Sequence, residues 1–377
     1  MLAKRPPMGW NSWNTFGTNI NEKLIMETAD AMVEKGYLAA GYEYLVIDDC
    51  WSEMERDENG RLVPDHKKFP NGMKAVADYV HSKGLKFGMY SCAGVRTCAG
   101  YPSSYDHEYV DAKTFAEWGV DFLKYDFCNF PESGNCVSRY HRMSMALKAS
   151  GREILFSACN WGVQEPWKWM DSIGVHMYRS TGDIQDNYQS FKNIAVSQIE
   201  NLCMSGSGCF NDPDMLVVGM YGKGNVGFGG CNDVEYRTHF ALWCLFGVPL
   251  MMGGDIRSLS DTSRELLLNK ELIAINQDEE CRAPYLAGKS GDDHYFFIRH
   301  LANNEFVLAY FNFSDKSEMT YRYSGAFEDI GIPYESGYGL DLTDVFTGEK
   351  IGVKRDYFLP SVEAHGCRMF KGKMVRV

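Results

Sequence analysis

Apolar positions over about the first 280 residues switch repeatedly between a helical period and a period of two, usually with a glycine at the switch. Leu24, Ile25, Thr28, Ala29, Met32 and Val33 mark one face of a helix that stops at Gly36, and Tyr42 to Asp49 then reads as a strand. Met73, Val76, Ala77 and Val80 mark the next helix, closed by Gly84 ahead of a strand from Leu85 to Ser91. Phe115 and Trp118 lead to Gly119 and a strand within Val120 to Asn129; Tyr140, Met143 and Leu147 lead to Gly151 and a strand from Glu153 to Asn160. A helix around Trp167 and Met170 is expected before Gly174, with Val175 to Thr181 as the following strand. Phe191, Ile194, Ala195 and Leu202 predict a helix before Cys209 to Met215, and Val234, Thr238, Leu242 and Leu245 one that ends at Gly247 before the strand Pro249 to Gly254. Ser263 to Asn276 closes the series as a last helix, and Met8 to Trp13 opens it as a strand-like start. Eight such alternations predict a (β/α)8 TIM barrel. A doubly wound sheet is the rival, but no Gly-x-Gly-x-x-Gly follows the first strand.

Past about Cys281 the helical period disappears. Tyr295 to Arg299, Phe306 to Phe313, Met319 to Tyr323, Gly339 to Asp344 and Gly366 to Lys371 alternate over short runs split by Asn, Asp, Gly and Ser, which predicts a C-terminal antiparallel β-sandwich. The expected division is residues 1–282 for the barrel and 283–377 for the sandwich, the latter covering a flank.

A chain of 377 residues that is 45% hydrophobic can bury a large core. Its net charge of -12 argues against nucleic acid or an anionic membrane as partner and favours a neutral ligand. The N-terminal stretch has no apolar leader, and the longest apolar run, Phe240 to Met252, is interrupted by Gly247 and Pro249, so the expectation is a cytoplasmic protein without a membrane partner. Homo-oligomer formation is left open. The twelve cysteines are dispersed and lack Cys-x-x-Cys spacing, which reads as mostly buried thiols.

Barrel enzymes build their sites at the C-terminal ends of the strands. Those ends carry Trp10 and Trp13, Asp48 and Asp49, Tyr90, Lys124 and Asp126, Asn160 and Trp161, Arg179 and Asp183, Asp212 and Asp214, and Asp255. Lys124 and Asp126 stand two apart, hence on one face of a strand, where the cation would keep the carboxylate ionised and aimed above the sheet. Taken alone this pair reads equally as a structural ion pair, and Asp183 as a helix N-terminal acid. Acids at five of the eight ends, with Lys, Arg and Trp among them, read more readily as a site. Metal chemistry would recruit histidine at the strand ends, and the nine histidines fall mostly in helices or loops; carboxylate-held Mg²⁺ is the residual metal reading, and neither metal nor cofactor is expected. A polyhydroxylated neutral ligand suits the lining better, since charged groups bind vicinal hydroxyls and tryptophan covers a sugar's C–H face. Glycoside hydrolysis would use two of the acids.

Met8-Gly-Trp-Asn-Ser-Trp13, Ile47-Asp-Asp-Cys-Trp51, Lys124-Tyr-Asp-Phe-Cys128, Arg179-Ser-Thr-Gly-Asp183 and Asn211-Asp-Pro-Asp-Met-Leu216 resemble, in order, the motifs of family 27 glycoside hydrolases, the α-galactosidases and α-N-acetylgalactosaminidases. The resemblance runs to Ile275-Asn-Gln-Asp278 and implies a retaining double displacement on an α-galactoside, with Asp126 as nucleophile and Asp183 as acid/base, their carboxyls about 5 to 5.5 Å apart. It further implies that Asp48 and Asp49 hold the 4- and 6-hydroxyls of galactose, that Lys124 bridges the 3- and 4-hydroxyls and that Arg179 lies near the 2-hydroxyl. Trp13 and Tyr90 are implied as ring contacts, Asp214 as a ring contact or a support behind one, and Cys98 and Cys128 as a half-cystine pair bordering the site, bonded when oxidised and expected as thiols inside a cell; Trp161, from its strand end, is a further candidate for binding substrate. Cys50 lacks a usual partner near Thr18, and Val175 stands where animal members have a cysteine. Asn160, in Cys159-Asn-Trp-Gly-Val-Gln164, is expected against the 2-hydroxyl, favouring galactose over N-acetylgalactosamine. β-L-Arabinopyranosidase activity and a non-catalytic galactose-binding barrel are the alternatives. The glycine-rich insertion Gly222 to Cys231 lies outside the motifs and is a candidate for shaping outer subsites.

Overall fold

Eight short parallel strands form the first sheet of the structure, a computed structural model that describes residues 2–319, 327–356 and 358–377. They are β1 Met8–Asn11, β2 Tyr44–Val46, β3 Lys86–Cys92, β4 Phe122–Asp126, β5 Leu155–Cys159, β6 Met177–Arg179, β7 Phe210–Asp212 and β8 Leu250–Met252. The order runs from β7 down to β1 and on to β8, and Leu216 closes the ring. Its N–H donates to the Met251 carbonyl at 2.8 Å, and its carbonyl accepts from Gly253 N at 2.9 Å. This is the expected (β/α)8 barrel.

Period two on each strand separates two packing layers. Tyr44, Val46, Phe122, Leu155, Met177, Phe210 and Met251 meet inside the barrel, whereas Leu45, Ile47, Leu123, Tyr125, Phe156, Ala158 and Tyr178 face the surrounding helices. Interior side chains thus stack from Phe122 upward through Lys124 to Asp126, which puts the polar end of β4 at the mouth. The helices Glu22–Glu34, Gly72–Ser82, Glu108–Trp118, Cys136–Ala149, Tyr188–Gln198 and Asp233–Phe246 fall where the helical period predicts them.

Two helical expectations are corrected. Trp167 and Met170 belong to a loop of two 3-10 turns, Pro166–Lys168 and Asp171–Ile173, because Gln164 and Glu165 stand at φ 59 and 53 and Trp169, at φ -143, breaks any helical ladder between the turns. The last helix is two helices, Asp261–Leu267 and Lys270–Asn276. Asn269 between them is extended, and its side chain caps the second by accepting from Glu271 N and Leu272 N.

The C-terminal part is a β-sandwich of a six-stranded antiparallel sheet and a two-stranded one. Its strands are β9 Tyr285–Ser290, β10 His294–Leu301, β11 Glu305–Asn312, β12 Glu318–Met319, β13 Tyr338–Asp344, β14 Lys350–Lys354, β15 Ser361–Val362 and β16 Cys367–Arg376. Of the expected run Met319 to Tyr323, only Met319 lies within the described residues. On β10, Tyr295 and Phe297 join the barrel's outer core, while Phe296 and Ile298 pack with Phe306, Leu308 and Phe370 in a second core.

Candidate active site

At the C-terminal rim the backbone first fixes where the acids point. Ser12 Oγ accepts from Asp48 N at 3.0 Å, and Asp48 Oδ1 accepts from Asp49 N at 2.9 Å. Asp49 in turn accepts from Cys50 N at 2.7 Å and from Ala99 N at 2.9 Å, so the two consecutive acids diverge, one into the barrel and one toward the loop after β3. Lys124 Nζ donates to Asp48 Oδ2 at 2.7 Å and lies 4.0 Å from Asp126 Oδ2; Asn11 Nδ2 donates to the same Asp48 oxygen at 2.8 Å. The expected Lys124–Asp126 pair therefore exists, but the hydrogen bond of the ammonium goes to Asp48. Burial works against the Lys124 charge, but Asp48, Cys159 and Asp126 together outweigh it and hold the ammonium well above its usual pKa. For Asp126 the balance is reversed. Burial raises its pKa, and Lys124 and the Phe127 N–H only partly offset this, so the cation does not hold it as firmly ionised as the sequence suggests.

A second cluster faces the first across the mouth. Arg179 Nη2 donates to Asp183 Oδ1 at 2.8 Å and lies 2.7 Å from Asp214 Oδ2. Asp183 has a side chain 74% exposed, while Arg179 and Asp214 are buried. Burial tends to raise Asp183, but the Arg179 charge and hydrogen bond prevail and lower it. Asp214, at φ 89, is held by the N–H groups of Ile184 and Met215, and Trp243 Nε1 donates to its carbonyl at 2.8 Å. Its neighbour Asp212, half-buried beside Asp214, is pushed up to about 6 chiefly by desolvation.

The sulfur and aromatic border completes the mouth. Cys98 and Cys128 are joined as a disulfide, with Cα atoms 4.9 Å apart, so these two are not the thiols expected. Gly94 lets the two loops approach, since a Cβ there would lie 2.0 Å from the Cys128 carbonyl. Tyr90, fully buried, donates its hydroxyl to Cys98 Sγ at 3.3 Å, and Lys124 Nζ lies 5.3 Å from the centre of its ring. Trp13 packs on the barrel interior, and Trp161 meets Phe127 edge to face. Cys98, Cys128 and Asp126 bring potential metal-ligand atoms within 4.8 Å of one another, but the two sulfurs are bonded to each other. Cys50 is a free buried thiol.

Asn160 is not brought to the mouth. It is fully buried, and its amide donates to the Val163 carbonyl at 2.5 Å and approaches Cys136 Sγ at 3.8 Å, on the helix side of β5. Period two explains the correction. Cys159, one residue earlier, points inward beside Lys124 and Arg179, so the next side chain turns out. Cys159 is thus a lining residue that the sequence reading missed, with inward register as the signal available for it, while Asp212 lines the site as one of the strand-end acids.

Known proteins match the chain over nearly its whole length. Residues 5–278 match the family model described as alpha galactosidase A, and residues 291–371 the alpha galactosidase C-terminal beta sandwich domain. The chain is 45% identical to "Alpha-galactosidase A" of Cellvibrio japonicus, over 97% of this chain and 91% of that protein. It is 44% identical to "Alpha-galactosidase" of Cyamopsis tetragonoloba, over 98% and 86%. The crystal structure of alpha-galactosidase I from Mortierella vinacea superposes with a TM-score of 0.91 at 35% identity, covering 98% of this chain and 97% of that one.

Proposed function

This chain belongs to the α-galactosidase family, glycoside hydrolase family 27, and from that premise we propose how its rim residues hydrolyse terminal α-linked galactose. Asp126 attacks the anomeric carbon while Asp183 protonates the departing oxygen. Asp183 then takes a proton from water, which cleaves the glycosyl ester and releases galactose with its configuration retained. Asp48, Asp49 and Lys124 take the 4-, 6- and 3-hydroxyls, and Arg179 faces the 2-hydroxyl. Trp13, Tyr90 and Trp161 border the ring, with Asp214 fixing Arg179. Catalysis belongs to residues 1–282, and residues 283–377 support it. The observation that carries this reading is the pair of facing clusters, Asp48–Lys124–Asp126 and Arg179–Asp183–Asp214, at the strand ends.

Asp183 is lowered and Asp126 raised, the reverse of what the first step needs. A 2-hydroxyl that engages Arg179 would draw it from Asp183 and free that carboxyl to carry a proton, while hydroxyls on Lys124 and Asp48 leave Asp126 as the ion facing the anomeric carbon. Asp126→Asn should abolish turnover of p-nitrophenyl α-galactoside yet still bind galactose by calorimetry. Proton NMR of the first product from the unaltered protein should show α-galactose. β-Galactose appearing first, or no turnover by the unaltered protein, would reject the reading. Asp48 with Asp49 favours galactose over a pentopyranose, since the pair offers a carboxylate for a 6-hydroxyl.

A further inference from the structure

The stretch Gly222 to Cys231 is tied at both ends of its span to the loops that carry the proposed site. Asn225 N donates to the Thr15 carbonyl at 3.2 Å and Val226 N to the Asn14 carbonyl at 3.1 Å, directly after Trp13. On the other side Val226 O accepts from Asp186 N at 2.9 Å, Gly230 N donates to the Asp186 carbonyl at 2.8 Å, and Gly222 N donates to Asp186 Oδ2 at 2.7 Å, three residues beyond Asp183. Asp186 is fully buried and also accepts from Tyr236 OH at 2.8 Å, which fixes that carboxylate to the following helix.

The glycines are what this fold of the loop requires. A Cβ at Gly227 would lie 2.3 Å from the Gly222 carbonyl, and one at Gly230 would lie 2.6 Å from Gly222 N, so the neck closes backbone against backbone. Gly222, Gly224, Gly229 and Gly230 all stand at positive φ. Val226 is buried beneath, in the barrel's outer core, whereas Phe228, two residues on, is 56% exposed. A loop this constrained holds one large ring out into water while its backbone is tied to the segment that follows Asp183.

Resting on the galactosidase reading, we infer that Phe228 is the platform of an outer subsite that takes the sugar ring attached to galactose. Its ring covers the C–H face of that second sugar, as aromatic side chains do with pyranoses, and the tethers to Asn14 and Asp186 hold it in place relative to Trp13 and Asp183. Two substrates separate the subsite from the galactose site: raffinose, which has a ring beyond galactose, and α-galactosyl fluoride, which has none. Phe228→Ala should lower the ratio of kcat/KM for raffinose to that for the fluoride by about threefold to tenfold, mainly through KM. Phe228→Trp should restore the ratio. A ratio unchanged in Phe228→Ala overturns the inference while the galactosidase reading stands. Failure of the unaltered protein to turn over either substrate overturns that reading itself.

Discussion

Between Asp48 and Asp126, Lys124 lies closer to the former, and this uneven sharing decides how the two carboxylates behave. The stretch was legible because a strand of period two must put residues 124 and 126 on one face, but spacing alone does not say which acid the cation favours; that depends on β2 delivering Asp48 alongside. Asp214 was legible as an acid near a strand end, not as the partner of Arg179, because its left-handed backbone places it there. Asn160 was misplaced for the opposite reason. The inward register of β5 ends on Cys159, which among dispersed cysteines reads as one more buried thiol. On the proposed reading, selectivity at C2 falls to Arg179, with Cys159 beside it. Galactose should be preferred over its 2-acetamido analogue by at least about tenfold in kcat/KM, since an acetamide would leave the buried Arg179 without its hydroxyl partner. Asn160→Ala, whose amide faces Val163 and Cys136, should leave that ratio within about a factor of two. A collapse of the ratio in Asn160→Ala, measured on the two p-nitrophenyl glycosides, would return this residue to the mouth.

Among the elements, β5 and β6 show how side chains extend a short ladder. His176, just before β6, accepts from Phe156 N through Nδ1 at 3.0 Å, so an imidazole supplies a strand-to-strand link. Burial, and then the Lys148 charge, depress its pKa from 6.5 to about 4. Above pH 6.5 it is neutral folded or unfolded and adds no pH dependence; as pH falls from 6.5 toward 4, only the unfolded chain takes up the proton, so stability is lost over that window. His176→Asn keeps an acceptor for Phe156 and removes the titration. Between pH 7 and pH 5 the variant should lose about 1 to 2 kcal/mol less stability than the unaltered protein, read from urea midpoints at each pH. Equal losses would show that His176 takes its proton in the folded state as well. The elements legible in the sequence were those with a long period and a terminal glycine, such as Glu108–Trp118, which ends at Gly119 with φ 86. Those that escaped lacked the long period. The 3-10 turns after β5 are too short to show a period, and β9 and β14, the outermost strands of the six-stranded sheet, are mostly exposed or half-buried and so carry little alternation.

In the whole molecule the barrel and the sandwich share one core, and an arginine is buried where they meet. Arg299, on β10 and 1% exposed, donates through Nη1 to the carbonyls of Cys244 at 3.0 Å and Leu245 at 2.9 Å, in the last turn of the helix Asp233–Phe246. Those carbonyls are the negative end of the helix, and Gly247 beyond them makes room, since a Cβ there would lie 2.9 Å from Nη2. Burial lowers the guanidinium to about 10, still high enough to stay charged at neutral pH. Tyr295 and Phe297 on the same face of β10 enter the apolar cluster that also holds Trp243 and Phe246, so the sandwich cannot separate without exposing the barrel's own core. The two should therefore unfold together. All eight tryptophans lie at or before Trp243, which makes their fluorescence a report on the barrel alone. Arg299→Leu, a change in the sandwich, removes the donor from two buried carbonyls and should cost about 1 to 3 kcal/mol, less whatever is regained by no longer burying a charge. Its effect should appear as a lower midpoint in tryptophan fluorescence and in far-ultraviolet circular dichroism alike. A shifted dichroism curve with an unmoved fluorescence curve would mean that the sandwich unfolds on its own.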